Sequence, residues 1–116
     1  MVLIVHNFVW LVFITLHGKK FIFVKNLMME RIAVFPGSFD PITKGHESII
    51  KRALPMFDKI IVAIGENAEK KSYFTLEQRI NWIKAVFQDE PSVSVVSYRG
   101  LTVEFCRKMN ARFLLR

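Results

Sequence analysis

From Glu30 onward, short apolar runs alternate with stretches in which apolar residues recur every three or four positions. Arg31–Phe35 predicts a first strand. Lys44 to about Ala53 predicts a helix with Ile42, Ile49, Ile50 and Ala53 on one face, stopped by Pro55. Lys59–Ile64 is a continuous apolar run, as expected of a strand covered on both faces. A polar loop, Gly65–Phe74, then leads into Thr75-Leu76-Glu77-Gln78, whose spacing matches a capping box. The helix it opens runs to about Phe87, with Leu76, Ile80, Ile83 and Phe87 in one stripe. Asp89-Glu90-Pro91 turns the chain into a β-branched strand over Ser92–Ser97. Arg99-Gly100 precedes a helix over roughly Thr102–Met109, with Leu101, Phe105 and Met109 on one stripe, and Ala111–Leu115 reads as a fourth strand. The order βαβαβαβ predicts an α/β, Rossmann-like, doubly wound parallel sheet. Because the chain stops where such a sheet builds its ligand crevice, the sheet is expected to be incomplete at the C-terminus.

Residues 1–28 break this rhythm. Met1–Leu16 is nearly all apolar, and Phe21–Val24 is a second apolar run after Gly18-Lys19-Lys20. The first run is shorter than the roughly 20 residues that span a bilayer. It also lacks a signal peptide's basic start and cleavage site. A membrane anchor, an added strand or helix, and upstream sequence read in frame before Met29 all remain open. The last is favoured, because composition changes abruptly at Met28-Met29, and a membrane role is disfavoured. Residues 29–116 are therefore expected to form the domain. His6 and His17 stand at no metal-binding spacing and are taken as incidental.

Composition narrows the chemistry. Hydrophobic residues make up 52% of the 116, enough for one core. The net charge of +7 shrinks in the domain itself, where 14 Lys+Arg face 10 Asp+Glu. That excess suits a small polyanion, while the absence of basic runs interleaved with aromatics argues against nucleic acid. The lone Cys106 excludes an internal disulfide and a Cys-based zinc cluster, and is expected to pack as a small apolar group in a protein of the reducing cytosol.

The stretch Phe35-Pro36-Gly37-Ser38-Phe39-Asp40-Pro41-Ile42-Thr43-Lys44-Gly45-His46 carries the candidate chemistry. A strand that empties through a Pro/Gly turn into a helix N-terminus aims unpartnered N–H groups at the crevice, a setting for anions. There is no Walker A loop, no G-x-G-x-x-G, no G-x-S-x-G and no pair of metal-spaced His, so no protein-held metal is expected. What remains is Ser38, His46, Lys70, Arg116 and the helix N-terminus. These are donors and cations, suited to nucleotidyl transfer, which needs positioning and charge neutralisation more than a protein nucleophile. Mg²⁺ commonly assists such chemistry on a triphosphate. Spacing alone also permits plainer roles. His46 can be a structural histidine, Ser38 a turn hydroxyl, Lys70 a solvated lysine, Thr102 an N-cap, and Asp40 a partner for neighbouring turn amides.

The same stretch, with Lys70-Lys71, Phe74-Thr75-Leu76-Glu77-Gln78-Arg79, Gly100-Leu101-Thr102-Val103 and Phe113-Leu114-Leu115-Arg116, resembles the phosphopantetheine adenylyltransferases, nucleotidyltransferases with an [HT]-x-G-H motif. The resemblance implies transfer of AMP from ATP to 4′-phosphopantetheine, giving dephospho-coenzyme A and pyrophosphate. It implies ATP contacts at Ser38, the backbone of Phe39 and His46, with His46 catalytic. It also implies that Ser38, Lys70, Thr102 and Arg116 hold the acceptor, and that the enzyme uses Mg²⁺ as a cytoplasmic homohexamer. Family members continue past the residue matching Arg116 with further ATP-binding segments, so a truncated chain is expected. Two alternatives stand beside this reading: a related nucleotidyltransferase acting on another small phosphate, and an inactive fragment.

Overall fold

The computed structural model describes residues 2–6, 9–16, 19–24 and 29–116, with the side chains described from Met29 onward. The chain divides into two units, Met1–Glu30 and Arg31–Arg116. In the first, the Val-, Ile- and Phe-rich runs form three strands: β1 (Val2–His6), β2 (Val9–Leu16) and β3 (Lys19–Val24). They pair antiparallel in the order β1-β2-β3, with Val2 opposite Phe13 and Leu11 opposite Val24. Such β-branched and aromatic sequences favour the pleated backbone. Among the described residues no helix is long and apolar enough to cross a membrane. His17 lies outside the described residues.

The second unit is a four-stranded, all-parallel sheet. Its strands are β4 (Ile32–Gly37), β5 (Lys59–Gly65), β6 (Val93–Tyr98) and the short β7 (Phe113–Leu114). Their spatial order is β6-β5-β4-β7. The chain walks outward from β4 to β6, then returns to the far side of β4, which makes the β4/β7 boundary a topological switch point. Three helices join the strands: α1 (Lys44–Ala53), α2 (Leu76–Val86) and α3 (Thr102–Lys108). A 3₁₀ turn over Leu54–Met56 ends α1 at Pro55.

Strand alternation explains the two cores. Ala33 and Phe35 of β4, with Ile60, Val62 and Ile64 of β5, face α1 and α2, burying Ile50, Ala53, Ile83 and Phe87. Ile32, Val34, Ile61 and Ala63 face the other way, packed by Phe105, Cys106 and Met109 of α3 and its end. Helices on both faces are why β5 reads as one unbroken apolar run, buried from Ile60 to Ile64. Cys106 is half-buried and packs as the small apolar group expected of it.

The third helix departs from expectation at its start. Leu101 was placed on the stripe with Phe105 and Met109, but it lies outside the helix as its N-cap and is 67% exposed. Nor does Thr102 act as the cap. It is the first helical residue, and its hydroxyl pairs with Tyr98 Oη at 2.7 Å. A cap hydroxyl must sit one position earlier, where the backbone is still extended.

Candidate functional site

Because all four strands run the same way, the residues that follow them gather along one edge of the sheet. Ser38 follows β4, Glu66 follows β5, Arg99 follows β6, and Arg116 lies just beyond β7. Open α/β sheets place ligands at this edge.

The turn after β4 is shaped by Phe39. Its backbone is in the left-handed region (φ 46°), which turns the ring inward to 2% exposure. There it meets Phe35 edge-on at 5.4 Å and the His46 ring at 4.9 Å. Gly37 makes room: a Cβ at that position would stand 3.0 Å from the Phe39 ring.

His46 then closes the first turn of α1. Thr43 is the N-cap, and the His46 N–H donates to Thr43 Oγ1 at 3.4 Å. In return the Thr43 backbone N–H donates to His46 Nδ1 at 3.0 Å. A backbone N–H can only donate, so Nδ1 is the acceptor and the proton of the neutral ring sits on Nε2. The plain and the functional readings of His46 therefore coexist in one side chain. One nitrogen serves the helix, and the other is left as a donor.

Beside this turn lies a cleft of about 610 Å³, whose lining includes Ser38, Asp40, Lys70, Lys71, Arg79 and Arg99. Its two carboxylates are both committed. Glu66 accepts from Arg99 Nε and Nη2 at 3.2 and 3.1 Å. Hydrogen bonding from Ser97 and Arg99 outweighs burial and lowers the Glu66 pKa. Asp40 accepts from the backbone N–H groups of Tyr73 at 2.7 Å and Phe74 at 2.9 Å. Burial pushes the Asp40 carboxyl up, but those two amides with the Arg79 and Lys70 charges pull it down, and it ends below its ordinary value. Asp40 was expected to serve neighbouring turn amides. Its partners instead lie more than thirty residues away.

The cleft brings together two of the residues singled out from the sequence, Ser38 and Lys70. Phe39 is buried beneath the turn, and His46 is half-buried behind it. Thr102 stands at the start of α3 beside Tyr98, and Arg116 is exposed beyond β7. None of these four is in the cleft lining. Arg79 was missed. It is 6% exposed and donates from Nη1 to the Ser38 carbonyl at 2.9 Å. Its signal was present: position 79 falls three after Leu76 and four before Ile83, so an arginine interrupts the apolar stripe.

A parallel sheet with a switch point, and a cation- and hydroxyl-lined cleft at its carboxyl edge, define the class as a Rossmann-like domain suited to a phosphorylated ligand. The chain belongs to the cytidylyltransferase-like family, whose model matches residues 34–116. It is 63% identical over 86 residues to a phosphopantetheine adenylyltransferase of Flavobacterium psychrophilum, covering 74% of this chain and 57% of that protein. Identity is 59% over 86 residues to the enzyme of the same name from Flavobacterium johnsoniae, with the same shares. The chain thus spans little more than half the length of these relatives. Among solved structures it resembles a bifunctional NMN adenylyltransferase/ADP ribose pyrophosphatase from Francisella tularensis. That match has a TM-score of 0.55 at 28% identity and covers 71% of this chain and 27% of that one.

Proposed function

We propose that the domain carries out adenylyl transfer from ATP to 4′-phosphopantetheine, the activity named for its relatives. The observation that supports it most directly is the reciprocal Thr43–His46 cap, which engages Nδ1 of a ring packed between Phe35 and Phe39 and leaves Nε2–H outside the cap. An acceptor phosphate oxygen attacks the α-phosphorus of ATP. The new O–P bond forms as the bond to the β-phosphate bridge oxygen breaks, and pyrophosphate leaves. A phosphate nucleophile needs no protein base, so catalysis rests on donors aimed at charge that grows in the transition state. In this reading Nε2–H of His46 donates to the α-phosphate, and Ser38 and the Phe39 backbone hold the nucleotide. Lys70 neutralises the acceptor phosphate, with Ser38, Thr102 and Arg116 completing its binding.

Magnesium fits this chain poorly as a protein-held ion. The cleft carboxylates of Asp40 and Glu66 are already engaged, and no cluster of three His, Cys, Asp or Glu occurs among the described residues. Its charge would arrive with the triphosphate, and no step here runs through it. A cytoplasmic homohexamer belongs to the same proposal, and sedimentation checks the assembly.

The test is pyrophosphate release from ATP by the 116-residue chain, with and without 4′-phosphopantetheine. Release that depends on this acceptor is expected. Faster release with another small phosphate would replace the acceptor named here. No release with any acceptor would make this chain an inactive piece of its family.

A further inference from the structure

Two charged residues at the cleft have no part in the chemistry above, yet both are held in place by long-range hydrogen bonds. Asp40 reaches out from the turn after β4 and receives the amides of Tyr73 and Phe74, one on each carboxylate oxygen. Arg79 reaches back from α2 and donates to the Ser38 carbonyl of the same turn. Residues 73–79 are thereby held at both ends against residues 38–40. Lys70 precedes the held end by three residues, and its own N–H donates to the Asn67 carbonyl at 3.2 Å. Phe74 is further fixed by an edge-on contact with Trp82 at 4.9 Å.

Stability alone does not account for this arrangement. Arg79 places a charged side chain at 6% exposure among the apolar positions of its helix, and its buried Nε has no hydrogen-bond partner. Burying a charge with part of its donor capacity unmet is unfavourable unless it serves something else. Asp40 likewise uses an ionised carboxylate where a neutral turn residue could close its own local bond. Both costs are incurred at the junction between Ser38 and the wall that carries Lys70.

We propose that Asp40 and Arg79 are positioning residues that lock the Lys70-bearing wall to the Ser38 turn, so that a phosphate-bearing acceptor meets Ser38 and Lys70 at one fixed separation. This rests on reading the cleft as the acceptor site. It assigns the pair chiefly to acceptor affinity, because Lys70 serves the acceptor alone, with a smaller effect on the nucleotide that shares the Ser38 turn. Charge-assisted bonds of this kind, once broken, cost about a factor of ten or more in whatever depends on them.

The experiment measures binding of 4′-phosphopantetheine and of ATP to the 116-residue chain by calorimetry, for wild type, Asp40→Asn, Arg79→Met, Arg79→Lys and Lys70→Ala. Asp40→Asn and Arg79→Met are each expected to weaken the acceptor about tenfold and ATP, which shares only the Ser38 turn, by no more than about threefold. Arg79→Lys, which keeps a donor and the charge, is expected to recover part of the loss. In a Lys70→Ala background Asp40→Asn is expected to add almost nothing, because it acts through Lys70. Equal losses for both ligands, or fully additive losses with Lys70→Ala, would overturn the proposal. If wild type binds neither ligand, the functional reading fails by itself, and the lock is decided without ligands. Amide exchange at Tyr73 and Phe74, and tryptic cleavage after Lys70, should then quicken about tenfold in Asp40→Asn but not at Lys108. Unchanged exchange and cleavage would end it. A wild-type spectrum in which neither amide responds to Asp40 protonation would also end it, without requiring any variant to fold.

Discussion

The turn after β4 and the turn after β6 solve the same problem with different thoroughness. Each leads a parallel strand into a helix N-terminus at the same edge of the sheet. The first ends in a ten-residue helix closed by a reciprocal cap, over a ring packed against two others. The second ends in a seven-residue helix with no side-chain cap and no fully buried residue, and Leu101 and Val103 stand exposed. Helix termini leave orphan donors in either case. Only the first turn closes with a side-chain cap, in which the His46 ring accepts at Nδ1 and keeps a donor at Nε2. The turn before the first helix is packed by Phe39 over Gly37 and tied to residues 73–79 by Asp40 and Arg79, whereas the turn before the last helix is tied to Glu66 through the exposed side chain of Arg99.

The largest effect expected is catalytic. Under the proposed adenylyl transfer, His46→Ala should lower kcat for pyrophosphate release about a hundredfold, the scale of a lost transition-state donor. ATP affinity should change much less, because that donor matters mainly in the transition state. Equal losses in kcat and ATP affinity would return His46 to a purely structural role.

Two glycines sharpen the contrast between the turns. Gly37→Ala forces a Cβ to 3.0 Å from the Phe39 ring, which is wedged between Phe35 and His46. Overpacking of this kind costs about 1–3 kcal/mol, read from the urea midpoint. Gly100 has open space around it but a φ of +87°. Gly100→Ala should therefore cost about 1 kcal/mol through the backbone alone. If Gly100→Ala is the more damaging, crowding at Phe39 does not govern the first turn.

The caps give smaller effects of opposite sign. Thr43→Ala removes the hydroxyl that caps α1 and should cost about 1 kcal/mol by chemical denaturation. Leu101→Asp supplies α3 with the cap it lacks and removes exposed apolar surface, for a gain of about 0.5–1 kcal/mol. A loss of stability in Leu101→Asp would mean that the exposed leucine is needed.

The smallest effect is electrostatic. Asp40 is held below its ordinary pKa despite burial, and Glu47 is lowered first by its hydrogen bond with Lys51. Groups depressed in the folded state stabilise it above their unfolded pKa and lose that contribution as pH falls through the folded one. The melting temperature should therefore hold through neutral pH and fall below about pH 4. Asp40→Asn should flatten part of that fall, and curves that stay parallel would show that the tether adds nothing to stability.

The amino-acid sequence by itself determined the elements of the domain and their order. Strand and helix periods, Pro55, and the Thr75–Gln78 box are written in neighbouring residues, and the structure places each helix and strand within about two residues of its sequence-based expectation. It also marked the stretch around Ser38 and His46, because Pro, Gly and His at a strand-to-helix turn are local signals. What that signal left open was the role of each side chain. Tertiary structure alone decided that Nδ1 of His46 serves the cap and Nε2 does not, since that depends on where the Thr43 amide points. It alone joined Asp40 to Tyr73 and Phe74, and Arg79 to Ser38. It also removed Thr102 from the cap of α3 and Leu101 from its stripe. Periodicity records which face of an element is buried. It does not record which polar groups meet across thirty or forty residues of chain, because those meetings are set by how the helices dock on the sheet.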